Sequence, residues 1–280
     1  MNKTFKTIVV IILTLSLSTT AFAGHKKKAK VKKTIQKPQI EQTINTNLYT
    51  PKPGTSWHWQ LDGKINTNYD VEIYNIDLEE TSQKTIDELH SNGKKVICYF
   101  SAGTYEKFRS DAKKFQKKVL GKKLDGWAGE KWLDIANYES FSHIMESRLD
   151  LAVKKQCDGV EADNVDAYTN KSGFKLNYDH QLRYNKWLAE EAHKRNLSIA
   201  LKNNLDQIPD LVNYFDFAIN EQCFEYNECD KLTPFIKQNK AVLGVEYELD
   251  KSEFCEQANR FNFSWLKANY DLNKNTDSCK

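Results

Sequence analysis

From Thr55 onward, short β-rich apolar runs alternate with stretches of helical periodicity, and that alternation leaves few folds open to the chain. Runs at residues 57–61, 71–76, 96–100, 159–162, 197–201, 215–219, 241–245 and 263–267 have the length and residue types of strands. Helical patterns separate most of them. Residues 177–195 place Leu182, Leu188, Ala189 and Ala192 on one stripe behind a capping Asn177, with Glu190, Glu191, Lys194 and Arg195 left exposed. The segment TSQKTIDELHSNGKK carries a helix stop at Asn92-Gly93, and residues 141–155 predict a third helix. Strands joined by helices pair in parallel. Eight of them within residues 51–280 predict a (β/α)8 TIM barrel in a single domain, rather than an open doubly wound sheet.

A closed barrel gathers the residues at the C-terminal ends of its strands on one face, where active sites are built. Those positions hold Asp77 after the second run, Ser101 and Gly103 after the third, and Glu161, Asp163 and Asp166 around the fourth. Lys202, Asn203 and Asn204 follow the fifth run, Glu221 and Gln222 the sixth, and Glu246, Tyr247 and Glu248 the seventh. The stretch DGVEADNVD thus shares one cleft with carboxylates from distant strands. Two carboxylates in different environments are the minimum apparatus for glycosidic cleavage, and Asp163 and Glu221 are the candidate pair. Crowding of like charges predicts that one of the two is held protonated near neutrality, as a general acid requires.

Other readings compete at several of these positions. Asp158 fits a turn, satisfying backbone donors, better than it fits catalysis. Asp166 serves equally as a cap or ion-pair partner and as a substrate ligand, and Lys202 equally as a neutraliser of its acidic neighbours. Trp57, Trp59, Tyr105 and Trp127 are core aromatics or stacking platforms for sugar rings, and Tyr99 fits the core. A carboxylate cluster also suits calcium or magnesium.

The chain opens with two lysines, an apolar core and an Ala21-Phe22-Ala23 site, a secretory signal over residues 1–23. Residues 24–50 carry seven lysines, one glutamate and few large apolar groups, and read as a disordered spacer. Residues 51–280 form the predicted domain; with 32 basic and 37 acidic side chains they are net acidic, which argues against a nucleic-acid ligand. No later apolar run is long enough to span a bilayer, so a secreted or periplasmic protein without a membrane anchor, acting as a monomer, is expected. Six cysteines in an exported chain imply disulfides, with Cys223 and Cys229 the best pair and the other four unmatched. Neither H-E-x-x-H, nor G-x-S-x-G, nor a glycine-rich phosphate loop occurs, which counts against zinc hydrolases, serine hydrolases and nucleotide enzymes.

VICYFSAGTYEKFRSD, LGKKLDGWAGEKWLDI, CDGVEADNVDAYTNKSGF, IALKNNLDQIP, FDFAINEQCFEYNEC and VLGVEY together resemble glycoside hydrolase family 114, the endo-α-1,4-polygalactosaminidase-like barrels, from about Trp57 to about Tyr247. The resemblance implies a modified (β/α)8 TIM barrel and endo-hydrolysis of α-1,4-linked galactosamine polymers with no metal or organic cofactor. It assigns the two essential acids to Asp163 in D-N-V-D and Glu221 in N-E-Q-C. Ala162 stands where proline is expected in E-P-D-N-V-D, a loss of local rigidity but not of a functional group. A cationic amino-sugar polysaccharide also suits the acidic body. The full expectation sets Asp163 as nucleophile and Glu221 as acid/base, with Asp77, Glu161, Asp166, Lys202, Asn203, Tyr105, Trp127 and Glu246 binding substrate. A barrel that binds amino-sugar polymer without cutting it, or a hydrolase of another amino-sugar glycan, is the alternative.

Overall fold

The computed structural model describes residues 48–273 and 276–280. The expected signal peptide, and all but the last three residues of the expected spacer, lie outside them.

The chain forms β1 (Trp57–Gln60), β2 (Ile73–Asp77), α1 (Gln83–Ser91) and β3 (Lys95–Ser101). An excursion follows, made of β4 (Thr104–Glu106), β5 (Leu120–Lys123) and β6 (Glu130–Leu133), which pair antiparallel in the order β4-β6-β5. The regular alternation resumes with α2 (Ser142–Lys154), β7 (Gly159–Asp163), α3 (Tyr178–Lys194), β8 (Ser198–Lys202) and α4 (Ile208–Leu211). It closes with β9 (Phe217–Glu221), α5 (Thr233–Lys237), β10 (Val242–Glu246), α6 (Lys251–Arg260), β11 (Ser264–Lys267) and β12 (Asp277–Ser278).

The main sheet runs β1-β2-β3-β7-β8-β9-β10-β11-β12, and its first eight strands are parallel, as predicted for the barrel. The modification sits at the seam, where β12 lies antiparallel on the free edge of β11. Across that seam the Trp57 indole donates to the Ser264 carbonyl at 2.9 Å, and His58 Nδ1 lies 2.8 Å from Thr276 Oγ1.

The two-residue period of a strand divides the core. Trp59, Ile73, Ile97, Ala200, Phe217, Ile219, Leu243, Val245 and Leu266 fill the barrel interior. Their alternates, among them Tyr74, Val96, Cys98, Val160, Ile199, Leu201 and Val242, pack with helix residues such as Ile86, Leu149 and Leu188. Helix ends follow the sequence signals: the Asn177 side chain caps α3 by accepting from His180 N at 2.9 Å, and Gly93, just past α1, has φ +72°. Cys223–Cys229 is formed as expected, beside Cys98–Cys157 and Cys255–Cys279. Among the described residues no helix is long and apolar enough to cross a membrane.

Candidate active site

Strand alternation carries the reactive groups inward. Glu161 and Asp163 on β7, Lys202 on β8 and Glu221 on β9 occupy the inward positions above the apolar plug, and Asp163, Lys202 and Glu221 are the last residues of their strands. Each is followed by a residue in the left-handed region: Asn164 at φ +61°, Asn203 at φ +48° and Gln222 at φ +63°. Asparagine tolerates that conformation better than most residues, and the sharp turn leaves the preceding side chain at the rim.

Lys202, only 2% exposed, holds the group together. Its Nζ lies 3.0 Å from Glu161 Oε1, 3.0 Å from Asp163 Oδ1 and 3.2 Å from Glu221 Oε2, and 5.0 Å from the centre of the Trp59 ring. Asp163 Oδ1 also accepts from Asn164 N at 2.7 Å, and its Oδ2 from the Tyr99 hydroxyl at 3.0 Å and Asn164 Nδ2 at 3.2 Å. Glu221 Oε2 accepts from Asn203 Nδ2 at 3.1 Å, and its Oε1 from the Tyr247 hydroxyl at 2.5 Å. Asn203 Oδ1 in turn accepts from Glu221 N at 2.9 Å, so one amide grips both ends of that residue.

The electrostatics depart from the expected pattern in one respect. Burial, reinforced by Asp163 against the opposing Lys202, lifts Glu161 to about 7, and burial with the Asp163 charge lifts Asp166 to about 6. Burial alone would raise Glu221 too. The Lys202 ammonium and the bonds from Tyr247 and Asn203 outweigh it and hold the Glu221 carboxyl below its ordinary value. The carboxyls that burial and crowding raise are therefore Glu161 and Asp166, beside the candidate pair, and not Glu221.

A cavity of about 240 Å³ opens above this group, lined by Tyr99, Trp127, Glu130, Asp163, Asp166, Lys202, Asn203 and Glu221 among others. A larger groove of about 1090 Å³ adjoins it and shares Tyr99, Trp127 and Glu130 with it. Trp127, 54% exposed, stands between the two. Asp77 lines the groove, but Arg109 holds it at 2.7 Å and it accepts from Glu79 N and Glu80 N, so its charge is spent on the turn after β2.

Two expected substrate residues lie elsewhere. Tyr105 packs edge-on against Phe115, with ring centroids 5.7 Å apart, on the β4–β6 excursion. Glu246 is fully buried, accepting from Phe224 N at 3.0 Å and Trp265 Nε1 at 3.3 Å. Parity explains it: Leu243, Val245 and Tyr247 face inward, so Glu246 faces the outer layer. Counting inward from Leu243 picks out Tyr247, and reading Tyr99 as part of the inward Ile97-Tyr99 pair identifies the other hydroxyl donor. Glu130 escaped because it belongs to no barrel strand.

An eight-stranded βα barrel with two carboxylates projecting from the strand tips on either side of β8 into a sugar-sized cavity is the architecture of a glycoside hydrolase. The model of glycoside-hydrolase family GH114 matches residues 39–280. The chain belongs to glycoside hydrolase family 114. Ega3 from Aspergillus fumigatus, solved in complex with galactosamine, is 41% identical at a TM-score of 0.79, over 82% of this chain and 97% of that one. The glycoside hydrolase domain of PelA from Pseudomonas aeruginosa shares the fold at 10% identity, with a TM-score of 0.63 over 81% of this chain and 99% of the domain. No curated protein matches the chain.

Proposed function

We propose that this protein is an exported, endo-acting hydrolase of α-1,4-linked galactosamine polymers, with Asp163 as nucleophile and Glu221 as acid/base. One observation carries the reading: Asp163 and Glu221 share a single ammonium, Lys202 Nζ, at 3.0 and 3.2 Å on the floor of the smaller cavity. The oxygens concerned are no further apart than those two contacts laid end to end. Facing oxygens that close leave little room for a water between them, which favours a covalent glycosyl intermediate with net retention.

The residues divide the work. Asp163 is fixed by four donors and attacks the anomeric carbon. Glu221, on the other side of Lys202, acts in the fraction of molecules that carry a proton on it: it gives that proton to the leaving oxygen and regains one from the incoming water. Lys202 and Asn203 position the pair from below, while Trp127 offers an exposed aromatic face to a sugar ring. Asp62, Glu80, Glu88 and Asp271 line the groove against Lys64, a balance that suits a cationic chain. The similar protein Ega3 was solved with galactosamine, which supports the same sugar here.

The hydrolase domain is assigned to residues 51–280, behind an export signal at 1–23 and a spacer at 24–50. In support, Pro51 O accepts from Ala241 N at 2.9 Å and Tyr49, two residues earlier, donates its hydroxyl to Glu72 Oε1 at 2.7 Å, so the chain joins the barrel at about this point, and three disulfides fit export. The test is release of reducing ends from an α-1,4-linked galactosamine polymer by the wild type, Asp163→Asn and Glu221→Gln. Each variant is expected to lose roughly a hundredfold to ten-thousandfold in rate with its fold intact. Binding without cleavage by the wild type, or full activity of Glu221→Gln, overturns the proposal.

A further inference from the structure

Glu130 is a largely buried carboxyl on the cleft wall that the two-acid mechanism leaves without a task and that no cation pairs with among the described residues. It sits on β6, in register with Glu106 of β4. Glu106 is compensated by Arg109 at 2.8 Å and by Arg148 at 3.7 Å. Glu130 has one hydrogen bond, from the Thr104 hydroxyl to its Oε2 at 3.0 Å, and no ion pair reaches it among the described residues. A buried carboxyl without a counter-charge either takes up a proton or pairs with a cation, so this one is open to a cation that arrives from outside.

The cavity geometry says where that partner sits. Glu130 is only 8% exposed, yet it lines both the catalytic cavity and the larger groove. The two other residues common to both are Tyr99, which holds Asp163, and Trp127, whose exposed face offers a platform for a ring. A sugar chain running from the small cavity into the groove must pass Glu130 at this neck.

We propose that Glu130 is the specificity-determining carboxylate that takes the free ammonium of the sugar unit at the neck between cavity and groove. The inference rests on the amino-sugar reading above and adds to it a reason for preferring the unacetylated sugar. An ammonium supplies the missing counter-charge, whereas an N-acetyl group supplies none and brings bulk to an enclosed site. The charged and titratable groups facing Glu130 are Glu106 from β4, Asp163 from β7, Arg109 from the turn after β4, and Tyr99 from β3. Burial first, and then the Glu106 charge, lifts the Glu130 carboxyl to about 7. An arriving ammonium therefore meets a group that ionises on contact.

The test compares wild type with Glu130→Gln, which keeps an oxygen acceptor for Thr104 and removes only the charge. Affinities are measured by calorimetry at pH 7, with Asp163→Asn added to both proteins so that no chain is cut, for an α-1,4-linked galactosamine tetramer and for its fully N-acetylated counterpart. The ratio of the two affinities is expected to fall by about tenfold or more in Glu130→Gln. In the wild type, the carbon-13 signal of the Glu130 carboxyl is expected to titrate at lower pH once the free-amine tetramer is bound. An unchanged ratio, or a Glu130 titration that the tetramer does not move, overturns the proposal. If the wild type binds the tetramer with the expected ratio but does not cleave it, the hydrolase reading falls and the role of Glu130 stands. If it binds neither tetramer, both fall.

Discussion

At the scale of single residues, Lys202 decides how the site titrates. One ammonium faces three carboxyls, and its nearness offsets the burial that would otherwise protonate Glu221. If Glu221 is the acid, the alkaline limb of kcat/KM follows its depressed value and lies on the acidic side of neutral. Replacing Lys202 with Met removes the depression while burial persists. The alkaline limb is then expected to move up by about one pH unit or more, with reduced activity throughout. The same variant leaves ionised carboxylates buried without a cation, at a cost of about 3 kcal/mol to folding. Protonation relieves that cost, so the loss is greatest at high pH and shrinks as pH falls. Paired pH–rate profiles and urea unfolding check both parts. A limb that does not move removes Glu221 from the acid role.

At the scale of elements, the strand tips show what was legible and where pattern reading stopped short. The sequence runs end at Ile76, Phe100, Ala162, Leu201, Ile219 and Val245. The strands run further, to Asp77, Ser101, Asp163, Lys202, Glu221 and Glu246. Apolar runs end where the barrel interior turns from plug to mouth, so the polar tips looked like loop residues although they are held in the ladder. Their inclusion restores parity as a guide, and parity moves Glu246 to the outer face. There it supports the loop after β9, accepting from Phe224 N beside the Cys223–Cys229 bridge. Glu246→Ala is expected to lower stability by about 2 kcal/mol, because a buried N–H loses its acceptor. It is expected to lower kcat through the loop that follows Glu221 while leaving KM essentially unchanged. A raised KM with unchanged stability would instead place Glu246 in contact with substrate. The β4-β6-β5 excursion was illegible for a different reason: its strands are three or four residues long, and LGKK and EKWL carry no clear alternation.

At the scale of the whole molecule, eight parallel strands were readable because each repeat of strand and helix announces itself, but closure depends on the two ends of the chain meeting. Here one direct contact, from the Trp57 indole to Ser264 O, is joined by an indirect one. Cys255–Cys279 ties the last residues to α6, and Cys279 N donates to Trp265 O at 3.0 Å, so the tail lies along β11 facing β1. Spacing along the chain could not select that pairing from four unmatched cysteines, since their proximity exists only once the barrel has curled. The bridge spans 24 residues, and its loss removes that closure constraint chiefly from the unfolded chain. Replacing Cys255 and Cys279 together with alanine is expected to lower stability by about 3 kcal/mol. Hydrogen exchange should quicken locally at the Cys279 amide and at Leu266 and Lys267, which face β12 in the ladder. Amides between β7 and β8, on the other side of the barrel, should keep their protection apart from the global shift. Uniform acceleration across all eight strands would mean that the tail is an integral stave of the barrel. Unchanged exchange at Leu266 and Lys267 would mean that β11 and β1 hold the seam through Trp57 and Ser264 without it.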